Sequence, residues 1–284
     1  MTVRRIDLGD LIISGVNWAY GLDELVSEIT TTWTAEQVAE LAIVSHDTGG
    51  RLAATNLGRL GVQITFNGSP WFISGVDTEF QNANVAWTFR CRSLLARKLR
   101  RTIKVSAEQK VAPHEWVTSR VQQAGGRCIA QPTAKGGTIA QGNDQTTLDI
   151  IGDLASQLGY SWTQWGSHFV FASRHWAWKT GVPGFPTYAV TWNKNAQTDM
   201  LTASATQTED DDITSATLDL TMPYSTGQMI RPWQRLRVSG LGRYDGTWLV
   251  DSVVRRPDGV TPVEITCLQP KKIVVKSTGR EGTE

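Results

Sequence analysis

The chain is 284 residues long, enough to bury a substantial core and to form two or three domains of the usual ~100 to 200 residues. Hydrophobic residues at 40%, charged residues at 19% and a formal net charge of +1 describe an ordinary globular protein with no overall bias toward polyanions. Cys91, Cys128 and Cys267 stand far apart without a CxxC pair, which argues against a disulfide framework or a zinc knuckle and fits a reducing compartment.

In the opening MTVRRIDLGDLIISG, Asp7 and Asp10 interrupt the apolar run that a signal peptide needs. No uncharged stretch of the chain approaches the ~20 residues of a membrane-spanning helix, so a soluble protein is expected. Residues 1–105 then read mainly as strands: VSEITTTW, VAELAIVS, GVQITFNG, PWFISGVDTEF and NVAWTFRCR are β-branched or aromatic runs separated by turn chemistry. NGSP at 67–70 signals a hairpin. Thr34 and Gln37 offer a competing capping box for a helix over 35–44, but the strand reading is preferred. SLLARKLRR at 93–101 places Leu94, Leu95 and Leu99 along one side of a short helix, with its basic residues largely on the other.

From residue 106 the pattern changes. APHEWVTSRVQQAGG carries Pro113 in a first helical turn, apolar Trp116, Val117 and Val121, and a Gly125–Gly126 stop. TTLDIIGDLASQLG repeats that logic with a threonine cap, Leu148, Ile151, Leu154, Ala155 and Leu158 on one face, and Gly159 past the end. YSWTQWGSHFVFAS alternates across a Gly-Ser turn as a hairpin does. Strands return from about 186 to 270 in YAVTW, MLTASATQT, ITSATLDLTM, QRLRVSG, TWLVDSVVRR and PVEITCLQ, and KKIVVKSTGREGTE ends the chain polar. The expected organisation is a β-rich part over 1–105, a small α+β domain over 106–180, a second β-rich part over 181–272 and a polar tail over 273–284.

Motifs for chemistry fail residue by residue. HEWVT at 114–118 opens like the zinc-protease pair but has Thr118 where the second histidine belongs. GLGRYDG at 240–246 puts Asp245 in place of a fingerprint glycine between two strands, and GYSWT at 159–163 lacks the final glycine of a nucleophile elbow. His168 and His175 have no cysteine or carboxylate at a metal-like spacing, and the oxygen-rich run Asp210, Asp211, Asp212 lacks the glycine and distal glutamate of a calcium loop. No catalytic residue, cofactor site or metal site is assigned, and the protein reads as a non-enzyme.

One feature is left. PWFISGV at 70–76 and TWLVDSV at 247–253 share a frame in which Trp71 matches Trp248, Ile73 matches Val250 and Val76 matches Val253, at an offset of 177 residues. In both copies a strand and a glycine-containing turn come immediately before. Strand alternation puts Ile73 and Val250 on the side of their tryptophans, and Val76 and Val253 on the opposite side unless a bulge at Gly75 intervenes.

These residues resemble a family. GQMIRPWQRLRVSGLGRYDGTWLVDSVVRR looks like the closing barrel of phage tail hub proteins, TTLDIIGDLASQLGYSWTQWGSHFVFAS like the small domain of those hubs, and GVQITFNGSPWFISGVDTEF like their first barrel. The resemblance covers about residues 20–270. It implies a mainly β fold with an inserted small α+β domain and two similar antiparallel β-barrels, tube-like, at 1–105 and 181–272. It implies a homotrimer whose paired barrels present six units to a hexameric tail tube, since a trimer matches a six-fold ring only if each subunit supplies the contact twice.

The implied partners are the tail tube or distal tail protein, the tape-measure protein and tip or fibre proteins, with DNA passing through the channel without sequence-specific binding. The implied place is the virion tail, assembled in the host cytoplasm. Larger relatives carry further domains or a peptidoglycan hydrolase, and this chain stops shortly after the second barrel. Two other classes stay open: a hexameric distal tail or carbohydrate- or receptor-binding tail protein, with Trp162, Trp165, Trp176 and Trp178 as platforms for host sugars, and, further off, a hydrolase.

Overall fold

The computed structural model describes residues 12–13, 16–17, 26–47, 52, 59–66, 68–81, 84–101, 106–108, 111–133, 139–141, 144–193, 199–210, 213–256 and 262–273. The first part is built from strands β1 (Ile12–Ile13), β2 (Val16–Asn17), β3 (Val26–Thr34), β4 (Glu40–Asp47), β5 (Gln63–Phe66), β6 (Ser69–Gln81) and β7 (Asn84–Ser93). Alternation does the sorting: along β4, Leu41, Ile43, Ser45 and Asp47 are buried and the residues between them are not. The rival helix at 35–44 does not form. Residues 35–37 turn instead, with the Gln37 amide donating to the Thr34 carbonyl at 3.4 Å, and β4 follows.

Helix α1 (Leu94–Leu99) starts on Ser93, whose hydroxyl accepts from the Ala96 amide at 3.1 Å. Its buried side differs from the expected one. Leu95, Ala96 and Leu99 are inside, whereas Leu94 is exposed, because at 3.6 residues per turn it lies about 100° away from the Leu95–Leu99 line.

The middle contains β8 (Ser106–Glu108), α2 (Pro113–Gln123), β9 (Arg127–Ala130), β10 (Ile139–Gln141), α3 (Thr147–Leu158), β11 (Ser161–Trp165), β12 (His168–Ala172) and α4 (Arg174–Thr180). α3 has a full capping box between Thr146 and Asp149 and ends on Gly159 at φ 62°. Its buried face comprises Leu148, Ile150, Ile151, Leu154 and Ala155 and ends there, so Leu158, one turn on, is exposed. α2 and α3 pack on a small sheet of order β11-β12-β9, in which β12 and β9 run parallel. α4, capped by the Ser173 hydroxyl, is a helix the sequence pattern does not announce.

The last part comprises β13 (Tyr188–Thr191), β14 (Thr202–Asp210), β15 (Ile213–Met222), the short helix α5 (Tyr224–Gly227), β16 (Arg235–Ser239), β17 (Gly246–Arg255) and β18 (Val263–Ile273). Residues 274–284 of the expected tail lie outside the described residues, as do Asp211 and Asp212.

The fold is mainly β. The strands of the first and last parts join in one sheet of order β14-β15-β18-β17-β3-β4-β7-β6-β5-β1-β2, with β16 paired to both β17 and β13. The ladders are antiparallel except β13 on β16. Among the described residues this path stays open and no pairing closes it into a ring.

Three buried clusters result. One lies under β3–β7 but takes in Trp233 and Leu249, one lies between α2, α3 and the small sheet, and one lies under β14–β18. Antiparallel neighbours need only short turns, whereas the β17–β3 seam joins residues more than 200 positions apart.

Candidate functional site

The residues singled out from the sequence sit in two sets of strands with one layout. The first set crosses the sheet in the order β3-β4-β7-β6-β5-β1 and the second as β14-β15-β18-β17-β16-β13. With β2 set aside as an extra strand on β1, each set, counted along the chain, runs second, third, sixth, fifth, fourth, first. One difference is plain: β1 is antiparallel to β5, while β13 is parallel to β16.

The match extends to single rows. Trp71 lies opposite Ile64 and Trp248 opposite Leu236, and all four are buried. Ile73 lies opposite Cys91, which lies opposite Leu41; Val250 lies opposite Cys267, which lies opposite Leu218. The ladder slips between Ile73 and Gly75 in β6 and between Val250 and Ser252 in β17, so Ser74 and Asp251 are the extra residues. After the slip, Val76 stands opposite Phe89 and Val253 opposite Ile265. Val253 is buried and Val76 half-buried against the first cluster, so the bulge returns each valine to the core side.

Before each tryptophan strand the chain enters through a left-handed residue, Gly61 at φ 84° or Trp233 at φ 69°. The Gly61 amide donates to the Ile73 carbonyl at 2.8 Å, and the Trp233 amide to the Val250 carbonyl at 2.8 Å. The Ile73 and Val250 amides return bonds to Val62 and Gln234. Leu41 and Leu218, at the same offset of 177, were within reach of the sequence. The left-handed pair was not, because a tryptophan at positive φ runs against its own steric preference.

At the seam, Ser252, Val253, Val254 and Arg255 of β17 pair with Thr34, Trp33, Thr32 and Thr31 of β3. The Arg255 guanidinium lies 4.5 Å from the Trp33 ring centroid and donates to the Ile230 carbonyl. Burial, with Arg231 nearby, lowers its pKa to about 10. The middle part braces both flanks. Arg174 reaches Asp251 at 3.1 Å and Glu36 at 3.8 Å, and the Trp178 indole donates to the Thr247 carbonyl at 2.8 Å. The Ser161 hydroxyl donates to Glu36 at 2.7 Å, and the Gln164 amide to Ser93 at 2.7 Å.

A cavity of about 610 Å³ opens where the three parts meet, walled by Trp71, Phe66, Trp165, His168, Tyr224 and Arg255 among others, with no carboxylate on its described wall. Burial, then Arg127 and Arg231, lowers the pKa of His168. The failed motifs are structural elements: His114 shares a hydrogen bond with Thr133, and Asp245 accepts from the Leu241 amide inside a turn. Among the described residues no group of three or more His, Cys, Asp or Glu is placed to hold a metal, and no helix is long and apolar enough to cross a membrane. Of the four proposed sugar-platform rings, Trp162 and Trp165 are buried and Trp176 and Trp178 are half-buried.

No family model and no curated protein matches the sequence. Solved structures do match. The crystal structure of the 43 kDa tail protein of prophage MuSo2 from Shewanella oneidensis is 10% identical, with a TM-score of 0.64 over 92% of this chain and 97% of its own. The tail protein of Neisseria meningitidis MC58 is 8% identical, with a TM-score of 0.61 over 92% and 96%. This chain has the fold of phage tail proteins. The E. coli c3393 protein, a type VI secretion component described as structurally similar to the T4 tail proteins gp27 and gp5, is 11% identical, with a TM-score of 0.55 over 92% of this chain and 76% of its own. The tail-protein fold is therefore matched across nearly the whole chain, both strand sets and the middle part included.

Proposed function

We propose that the chain is a structural hub of a phage tail tip or baseplate, a ring that joins the six-fold tail tube to three-fold tip components around the DNA channel. The observation that carries this reading is the duplicated strand layout within one polypeptide. A protein that must offer the same surface twice per copy gains it by carrying the unit twice, and three copies then supply six such surfaces.

In this reading 1–105 and 181–272 are the two tube-like units, 106–180 is the brace between them, and 273–284 is a tail. Trp71, Ile73 and Val76, with Trp248, Val250 and Val253, are the structural repeat that keeps the two units alike. The partners are two further copies, the tail tube or distal tail protein, the tape-measure protein and tip or fibre proteins. The protein resides in the virion tail after assembly in the host cytoplasm.

The role is mechanical, with no catalysis. Every neutralised phosphate adds affinity that slows the passage of DNA, and a net charge of +1 suits a lumen that must let it go. Counting copies in an intact tail tests the reading. Three copies around the axis are expected, and six in a single six-fold ring make the chain a distal tail protein instead. Purified protein is expected to leave peptidoglycan and oligosaccharides uncut; turnover abolished by changing one carboxylate overturns the non-enzymatic part.

A further inference from the structure

The cavity at the junction of the three parts gathers basic side chains from four separate places in the chain. Lys98 comes from α1, His168 from β12, Arg231 from the segment between α5 and β16, and Arg255 from β17. Among the described residues no carboxylate stands on the wall with them, and neither Lys98 nor Arg231 has an ion-pair partner. The groups also feel one another. Burial is the first cause of the lowered pKa of both His168 and Arg255, and Arg231 adds to it in each, behind Arg127 at His168. An anion placed among them relieves that repulsion.

The same wall holds donors without acceptors. The Arg255 guanidinium is fixed by the Trp33 ring and by its bond to the Ile230 carbonyl, yet its Nε is buried with no partner. The indole N–H of Trp165 has none either, although the ring is buried and stacked on His168 with centroids 5.5 Å apart and 8° between the planes. Buried polar groups in folded chains are nearly always paired, so two orphan donors on one cavity wall point to an acceptor brought by a ligand. The remaining surface suits the body of such a ligand: Phe66, Trp71 and Trp165 are flat, apolar and buried. A volume of about 610 Å³ lies within the ~300 to 1,000 Å³ of small-ligand sites.

We propose that this cavity binds a small organic anion, a carboxylate or phosphate carried on a flat apolar body. The charged head sits among Lys98, Arg231 and Arg255, whose guanidinium forks match carboxylate and phosphate oxygens, and the body lies against the aromatic wall. The ligand touches all three parts at once, so occupancy raises the Tm of the whole chain. The inference is separate from the hub reading, because it needs one chain and no neighbour.

Titration calorimetry of the full chain at pH 7 tests it, with 2-naphthoate, 2-naphthyl phosphate and the neutral 2-naphthamide as ligands. One-site binding of an anion is expected, with the amide weaker by about tenfold or more, and the tighter anion names the head group. Arg231 is exposed, so Arg231→Gln is expected to keep the Tm of the free protein while weakening the anion about tenfold and leaving the amide unchanged. Arg231→Lys restores most of the loss. Lys98→Gln is expected to weaken the anion in the same direction, and Arg243→Gln, an exposed arginine outside the cavity, to change nothing. Three results overturn the proposal: no saturable binding of either anion, an amide that binds as tightly, or an affinity that survives both Arg231→Gln and Lys98→Gln. Copy number in tails bears on none of them, so this site and the hub reading fail separately.

Discussion

Trp71 and Trp248 are the residues whose role is easiest to weigh. Both are buried, and the Trp248 indole donates to the Tyr244 carbonyl at 2.9 Å. Truncating either to alanine is expected to cost about 3 to 5 kcal/mol in chemical denaturation, with Trp248→Phe milder because the cavity is smaller. A loss under about 1 kcal/mol at either site contradicts the core role. The thiols give a second expectation. Burial, with Glu40 nearby, pushes Cys91 up to about 12, and burial pushes Cys267 up further, with Asp219 and Asp251 adding to it. Cys128 rises to about 11 through burial, against a smaller pull from its hydrogen bond to Thr118. At pH 8 the native protein is expected to react slowly with a disulfide reagent at all three sites and fully in denaturant. Because the folded pKa of Cys91 lies above its ordinary value of 9.0, the stability it contributes is present below about pH 9 and fades as pH rises toward about 12. Rapid native labelling of Cys91 or Cys267 contradicts the packing described.

At the scale of elements, the sequence was most legible where periodicity is local. β4 follows from alternation and α3 from its capping box, the β11–β12 hairpin follows from its Gly-Ser turn although its strands are buried on both faces rather than alternating, and the offset of 177 marks the two tryptophan strands. Less of the candidate surface was legible. The β17–β3 seam depends on residues from opposite ends of the chain, and no local pattern in TTWT or SVVR names its partner. α4 was missed because RHWAWKT has no apolar stripe longer than one turn, and its one buried residue is Ala177. Leu94 was misplaced because a six-residue helix leaves the face ambiguous until its neighbours are known. Gly240, at the end of β16, is the sharpest element-level test. Its φ of +89° is left-handed, and a Cβ there strikes the Trp192 carbonyl oxygen, where the chain leaves β13. Gly240→Ala is expected to cost about 1 to 3 kcal/mol and to loosen the parallel β13–β16 ladder, read as faster amide exchange at Val190 and Val238. Unchanged exchange and Tm show that the turn relaxes freely.

At the scale of the whole molecule, the question is whether the two strand sets are independent bodies or one. Three features tie them. The seam is a backbone ladder of four pairs, Trp233 and Leu249 of the second set are buried in the first cluster, and Trp33 packs against both outer clusters. The middle part adds Arg174 between Asp251 and Glu36, and the Trp178 indole on Thr247. Exposed ion pairs contribute little, so the coupling rests on the buried rings and the ladder. Losing the second set leaves Trp33 and the outer edge of β3 uncovered, a combination of apolar surface and unpaired strand that favours aggregation. A chain ending near residue 181 is therefore expected to be insoluble or molten, and the full chain to unfold in a single calorimetric transition with equal van't Hoff and calorimetric enthalpies. Two resolved transitions, or a folded and soluble first part alone, mean that the sets are separable. The second unit is then an appended copy, and the rigid spacing a ring needs must come from neighbouring chains instead.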